Sequence, residues 1–338
     1  MKHHTIALVL VAACGTSDAD YKAEVVTQMH DSIAADLSDL VEAAKALQAA
    51  APTGHGWDAT TDAEAVVAMK QAWRRTRIAY EHVEGATAPI FPDEDYTMDA
   101  RYDDFLAKLG AAGDADPFDA VGATGMHAIE RILYATTIPD AVTDFEKTLP
   151  GYRQAAWPTN ATEAMTFKTG ICQKLVDDAI ALDDEWTPAA IDIGAAYQGL
   201  VGLMNEQQEK VNLAATGEEE SRYAQLTLFD LRNNLDGTTK IYDFFRAWID
   251  SKNRDRDDHI QLGFGTLDAL YRADPGDAIP PVPATWSSDA PSPADLQTSF
   301  GMLWRGVHDA ADPTAPGSVV SEMNEVAVLL GFPEFVEQ

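Results

Sequence analysis

The 338-residue chain carries 55 Asp and Glu against 24 Lys and Arg, a formal charge of −31 at pH 7, with 46% hydrophobic residues. No basic stripe exists to neutralise phosphates, which excludes nucleic acid as a partner, whereas cations are drawn to such a surface. Much of the acid simply solvates the fold, so the placement of particular carboxylates matters more than their total.

At the N-terminus Lys2 precedes the short apolar run Ile6-Ala7-Leu8-Val9-Leu10-Val11-Ala12-Ala13 and then Cys14. The run is far shorter than the ~20 residues of a spanning helix. With small residues before the cysteine it reads as a lipoprotein export signal. Residues 1–13 are then a signal peptide, and 14–20 a tether starting at a lipidated Cys14. The competing reading is an ordinary secretory signal with a chance cysteine. Gly15 supplies no acidic retention signal, which directs the anchor to the outer membrane, facing the periplasm. Cys172, the other cysteine, has no disulfide partner once Cys14 carries lipid, and reads as an inert buried thiol.

Apolar residues recur at three- and four-residue spacing through nearly every long segment, and alternating strand-like runs are almost absent, so the chain reads all-α. A first helix is predicted over 21–49, ended by Pro52-Thr53-Gly54. A second begins at the capping box Thr61-Asp62-Ala63-Glu64 and runs to about Ala88, stopped by Pro89 and Pro92. A shorter helix starts near Thr97, and a fourth opens at Asp116-Pro117 and reaches Tyr134. The stretch 136–158, with Pro139, Pro150 and Pro158, reads as a crossover. It divides an N-terminal bundle (21–158) from a C-terminal bundle (159–338). Helices in the latter are predicted near 160–185, 188–214, 222–251, 256–272, 294–312 and 318–330, with six prolines keeping 274–293 non-helical. Two consecutive bundles of similar size are what an old duplication would leave, although no repeat is visible by identity.

The chemistry concentrates between residues 81 and 130. Glu81 and Glu84, and His127 and Glu130, are each three apart, so on a helix each pair shares a face and can converge on one ion; Asp99 lies between them in sequence. One imidazole among carboxylates suits iron, manganese, copper or zinc. Each element has a plainer reading as well. His127 and Glu130 form a pattern that arises often as a core or surface pair. Glu81 and Glu84 near a helix C-terminus are unfavourable for the dipole, a cost that either a bound cation or the neighbouring Arg74, Arg75 and Arg77 would offset. Asp99 near a helix start could cap it. Gly125, as a helix-interior glycine, points to close approach by another backbone or ligand. His82 lies about 100° around the helix from Glu81 and is not counted as a ligand.

Taken in order, Arg77-Ile78-Ala79-Tyr80-Glu81-His82-Val83-Glu84, Met98-Asp99-Ala100-Arg101-Tyr102-Asp103-Asp104-Phe105 and Gly125-Met126-His127-Ala128-Ile129-Glu130 resemble the site motifs of the imelysin family. The resemblance is greatest to its EfeO/EfeM branch, the periplasmic components of iron uptake systems. Thr216-Gly217-Glu218-Glu219-Glu220 and Tyr223 through Asn234-Leu235-Asp236-Gly237 resemble that branch's second conserved stretch. The resemblance implies two helical bundles with a site near their interface and the metal ligands Glu81, Glu84, Asp99, His127 and Glu130. Where the branch has Ser and Asp after the tyrosine this chain has Ala224 and Thr227, which leaves the expected ligands to the first half.

The function this implies is a lipid-anchored, envelope metal-binding protein. It would capture iron, with copper or zinc as alternatives, for a membrane iron transporter or a peroxidase-type partner. The alternatives are an imelysin-type metallopeptidase, against which stand the absence of His-Glu-x-x-His and the surplus of acidic ligands, and a metal-free adhesion module using Trp57, Trp73, Trp157 or Trp304. A ferritin-like di-iron site would need two Glu-x-x-His motifs. No P-loop, dinucleotide fingerprint or Ser/His/Asp set is present.

Overall fold

The computed structural model describes residues 16–187 and 189–336, and these residues contain helices and no strand. Cys14 and the export signal lie outside the described residues. Thirteen α-helices follow in order: α1 Asp18–Ala50, α2 Ala63–Glu81, α3 Glu84–Thr87, α4 Pro92–Asp99, α5 Tyr102–Leu109, α6 Gly125–Leu133 and α7 Asp140–Glu146. Then come α8 Ala161–Thr169, α9 Ile171–Trp186, α10 Ile193–Leu213, α11 Thr227–Arg272, α12 Ser299–Ala311 and α13 Val319–Leu330.

α1 starts at a capping box in which Ser17 and Asp20 satisfy each other's backbone N–H groups. Its buried stripe, Val25, Met29, Ile33, Leu37, Leu40, Ala44 and Leu47, keeps the three- and four-residue step of one helical face. That face packs on α2 and on α9, so helices from both sides of residue 158 share one core. A second layer is formed by α10 to α13. The first part of α11 also reaches back to α1 and α2, and by joining the two layers it brings residues distant in sequence to a common point. No helix among the described residues is long and apolar enough to cross a membrane.

Four local expectations are revised. The helix expected to reach Ala88 stops at Glu81, where Val83 N–H turns back to Tyr80 C=O (2.9 Å) and α3 restarts at Glu84. Asp99 closes α4 rather than opening a helix, because Ala100 is extended and Arg101 begins the next cap, its N–H donating to Asp104. The helix expected from Asp116 is a run of turns. Asp114, Asp116 and Asp119 each accept a backbone N–H two residues on, a local bond that competes with helix, so α6 begins only at Gly125. The crossover holds a helix of its own, α7, entered after Pro139. The predicted break between 251 and 256 is a kink at Asn253 (φ −160°, ψ 94°) within α11.

Candidate metal centre

Two glycines let the backbones around the centre meet. Gly125 opens α6 at φ +80°, and a Cβ there would lie 2.5 Å from the Met98 carbonyl oxygen. No other residue allows the first turn of α6, with His127, to sit on the last turn of α4, with Asp99. Gly237 serves the other side: a Cβ would lie 2.5 Å from His82 Cα, so α11 can lie on the end of α2 and bring Asp230 and Asn234 to Arg77 and Glu81.

His127 is 1% exposed. Its Nδ1 is 2.8 Å from Glu130 Oε2, while Glu130 Oε1 accepts the backbone N–H groups of Tyr223 (3.0 Å) and Ala224 (2.7 Å). A carboxylate held this way accepts a proton-bearing Nδ1, which leaves the Nε2 lone pair free. Nε2 has no hydrogen-bond partner and lies 3.5 Å from Asp99 Oδ1. Burial, reinforced by Arg77, holds the imidazole well below its ordinary pKa, so the ring is neutral, the state in which it can ligate a cation. Burial also pushes the Glu130 carboxyl up, with the Ala224 N–H pulling the other way.

Ligand atoms within 4.8 Å of one another form two overlapping groups, Asp99, His127 and Glu220, and Glu81, Glu84, Asp99 and Glu220. Threaded among them is Arg77, fully buried, whose guanidinium bonds Glu81, Asp99 and Glu220 (2.8 Å), with Asp230 at 3.4 Å. Lys210 Nζ is 2.8 Å from Glu220 and 3.9 Å from Glu84. Asn234 donates to both Glu81 and Glu84 (2.8 Å to the latter), bridging the two acids across the α2–α3 break. Burial alone would raise every carboxyl here. Glu220 is nevertheless held down at about 2 by Lys210 and Arg77, whereas for Asp99 burial prevails over Arg77 and its carboxyl lies well above the usual range.

The cluster opens on a cleft of about 270 Å³ between α4 and α10, lined by Glu84, Asp95, Asp99, Asp104, Glu206, Glu209 and Glu220, with Arg101 and Lys210 the basic side chains on its wall. A small cation meets a concave, strongly negative entrance there.

Four of the five residues singled out in sequence, Glu81, Glu84, Asp99 and His127, therefore converge. Glu130 does not enter either group and faces His127 and the 223–224 backbone instead. His82 faces Asp36, away from the cluster (3.7 Å). The second half contributes more than the sequence suggested: Glu220, Lys210, Asp230 and Asn234 all reach the centre. Substitution at 224 does not weaken this, because Ala224 acts through its backbone N–H. The signal for Glu220 was the triple-acid run 218–220 after Gly217, and its burial at 6% exposure is what distinguishes it from a solvated run.

These features define a helical protein whose bundles enclose a carboxylate and histidine centre. The imelysin (peptidase M75) family profile matches residues 30–279, and the chain belongs to that family. Iron uptake system component EfeM of Pseudomonas syringae is 26% identical over 205 residues, 61% of this chain and 58% of that protein's own length. An Efem/EfeO family lipoprotein of Staphylococcus haemolyticus is 27% identical over 233 residues, 69% of this chain and 68% of that one. The crystal structure of an imelysin-like protein from Psychrobacter arcticum shares the fold, with a TM-score of 0.60 at 14% identity over 96% of this chain and 100% of that one.

Proposed function

We propose that this protein is a metal-binding component of the cell envelope, tethered through a lipid on Cys14, that captures iron and hands it to a membrane iron transporter or a peroxidase-type partner. The observation that carries this reading is His127: a buried neutral imidazole, its Nδ1 fixed by Glu130 and its Nε2 unpartnered beside Asp99 and Glu220. A lone pair desolvated and left unpaired is costly in a core and useful beside a cation. His127, Asp99 and Glu220 are the inner ligands in this proposal, Glu81 and Glu84 extend the oxygen donor set, and Glu130 orients the imidazole. Nitrogen and carboxylate oxygen in these numbers suit iron, with copper or zinc as competitors. The names of the relatives in Pseudomonas syringae and Staphylococcus haemolyticus support iron as the cargo and a lipid anchor.

Peptide hydrolysis is not part of the proposal. A hydrolytic zinc uses three protein ligands and a free general base, while here the carboxylates outnumber that set and Arg77, Lys210 and Asn234 engage those that could act as base.

Isothermal titration of Fe(II), Fe(III), Cu(II) and Zn(II) into the full chain tests the proposal. One ion should bind tightly, and His127→Ala, folded by circular dichroism, should weaken it by about a hundredfold or more, the upper range for losing part of a metal site. Equal binding by both proteins, or none by either, would remove the metal reading.

A further inference from the structure

The tether expected over residues 14–20 is shorter in the structure. α1 begins at Asp18 and Ser17 already belongs to its capping box, so only Gly15 and Thr16 separate Cys14 from the folded body. Fully extended, the span from Cys14 to Ser17 reaches about 10 Å. The start of α1 is held against unwinding: Asp18 accepts from Trp248 Nε1 (3.1 Å) and from Lys252 Nζ (2.9 Å). Trp248 is itself buried, with Lys22 Nζ 5.5 Å and the Phe332 ring 5.7 Å from its own ring. Trp248 and Lys252 stand just before Asn253, where α11 turns back on itself. Past that turn Asp257 accepts from Tyr242 (3.2 Å) and Arg246 (3.0 Å), and Arg272 reaches Asp236 (3.8 Å). The start of α1 and the turn 250–256 therefore lie side by side at the point of attachment.

That end differs from the rest of the chain in charge. Across residues 17–22 and 250–256, Lys22, Lys252, Arg254 and Arg256 match Asp18, Asp20, Asp250 and Asp255 one for one, within a chain of net charge −31. Anionic headgroups repel an acidic surface and tolerate a balanced one. We propose that the start of α1 and the 250–256 turn form a membrane-apposed face, its partner the phospholipid headgroups around the lipid on Cys14, and that the metal centre is thereby held at a set height above that membrane. Two helices measure the height. From Asp18 to Asp36 α1 rises about 27 Å, and Asp36 faces His82, the neighbour of Glu81 (3.7 Å). From Trp248 back to Asn234, which donates to Glu81 and Glu84, α11 covers about 21 Å. With this end down, the centre stands roughly 20–30 Å above the headgroups, and the receiver of the ion belongs in the same membrane as the anchor.

This rests on the lipid anchor proposed above, and the test tells the two failures apart. The full chain, lipidated, is reconstituted into vesicles of phosphatidylethanolamine and phosphatidylglycerol carrying a headgroup-labelled acceptor lipid. A donor dye is placed on one introduced cysteine at an exposed position, Ser251→Cys at the turn or Glu209→Cys at the cleft mouth; Cys172 is buried and takes no label. Energy transfer should put the 251 dye at the headgroups and the 209 dye about 20 Å or more further out. A Gly-Ser insert of about twenty residues between Thr16 and Ser17 should lift the 251 dye by on the order of 20 Å, close to the r.m.s. length of such a linker. Without the insert, Lys22→Glu with Arg254→Glu should lower transfer at 251, an effect that high salt reduces. Equal transfer from the two sites, or a 251 dye that neither the insert nor the charge reversal moves, overturns the apposed face. Mass spectrometry of the purified chain decides the anchor separately: with a lipid found on Cys14 only the orientation is lost, and with none on Cys14 both readings fall.

Discussion

The two walls of the centre are built on opposite plans. On the α6 side, His127 and Glu130 are fully buried, Glu130 Oε1 takes two backbone N–H groups from 223 and 224, and Arg131 next to it ties the same loop through Glu146, whose Oε1 accepts the Tyr223 hydroxyl (2.7 Å). On the cleft side, Glu84, Asp95, Asp104, Glu206 and Glu209 surround an opening that solvent and ions can enter. One wall is a fixed hydrogen-bonded frame and the other a charged approach. Under the proposed function the first orients the ligand and the second recruits the ion, and each role can be broken separately.

The largest effect is expected on the fixed wall. In Glu130→Gln the amide oxygen can still accept the N–H groups of Tyr223 and Ala224, so the fold should survive, but the amide NH₂ then faces Nδ1. The imidazole responds by moving its proton to Nε2, and the lone pair aimed at Asp99 and Glu220 disappears. Metal affinity should fall about 10- to 100-fold, the range for lost outer partners of metal-bound histidines, with a melting temperature close to the wild type. Titration calorimetry beside a thermal melt checks this. Unchanged affinity would mean that Glu130 is a structural anchor for the 223–224 loop and nothing more.

The same contrast explains what could be read from the sequence. The all-α class, the long stripes of α1 and α13 and the break in α11 are local, periodic signals, and so are His127 and Glu130, whose spacing on one turn survives in the structure. Asp99 was placed on the wrong end of a helix because two short helices, α4 and α5, meet across Ala100 in a stretch whose acids suit either a start or an end. The turns at 114–124 were missed because Asp116-Pro117 is also a proper helix start, and only the three successive aspartate-to-backbone bonds decide against it. The contribution of Asp230 and Asn234 depends on α11 lying against the end of α2 at Gly237, a contact made between residues more than 150 apart, and that of Lys210 on α10 packing against α3, neither of which any spacing announces.

Proton binding should also distinguish the walls. His127 is held well below the usual imidazole range, so its ring stays neutral where a free imidazole would take up a proton. Asp95, on the approach, is pushed up to about 6 by burial and by the neighbouring Glu84. Its folded-state pKa is above the unfolded value near 3.9, so between these pH values the folded protein binds more protons. The contribution of Asp95 to the stability of the metal-free protein therefore improves as pH falls from 7 toward 4, by on the order of 2 kcal/mol at most. Metal affinity moves the other way, since protons compete for the approach and for the ligand oxygens. Thermal melts of the metal-free wild type and Asp95→Asn at pH 7 and pH 4.5 check the sign. The wild type should gain on the variant at the lower pH, and a variant that instead gains on the wild type would place the Asp95 carboxylate in a stabilising ion pair.

The smallest effect is expected at the mouth. Asp104 and Glu209 line the cleft, each within 4 Å of Arg101, and neither belongs to the ligand groups. Asp104→Asn with Glu209→Gln removes two negative charges from the approach and frees Arg101 to repel an incoming cation, yet leaves His127, Asp99 and Glu220 untouched. Recruitment by a focused field acts on the association rate and is screened by salt, whereas the contacts that retain the ion act on its dissociation. Stopped-flow measurement should therefore show metal association slowed about 3- to 10-fold at low ionic strength, the difference closing above about 0.5 M salt, with dissociation unchanged. If the double variant instead speeds dissociation, the mouth acids take part in holding the ion, and the division between a recruiting wall and an orienting wall does not describe this centre.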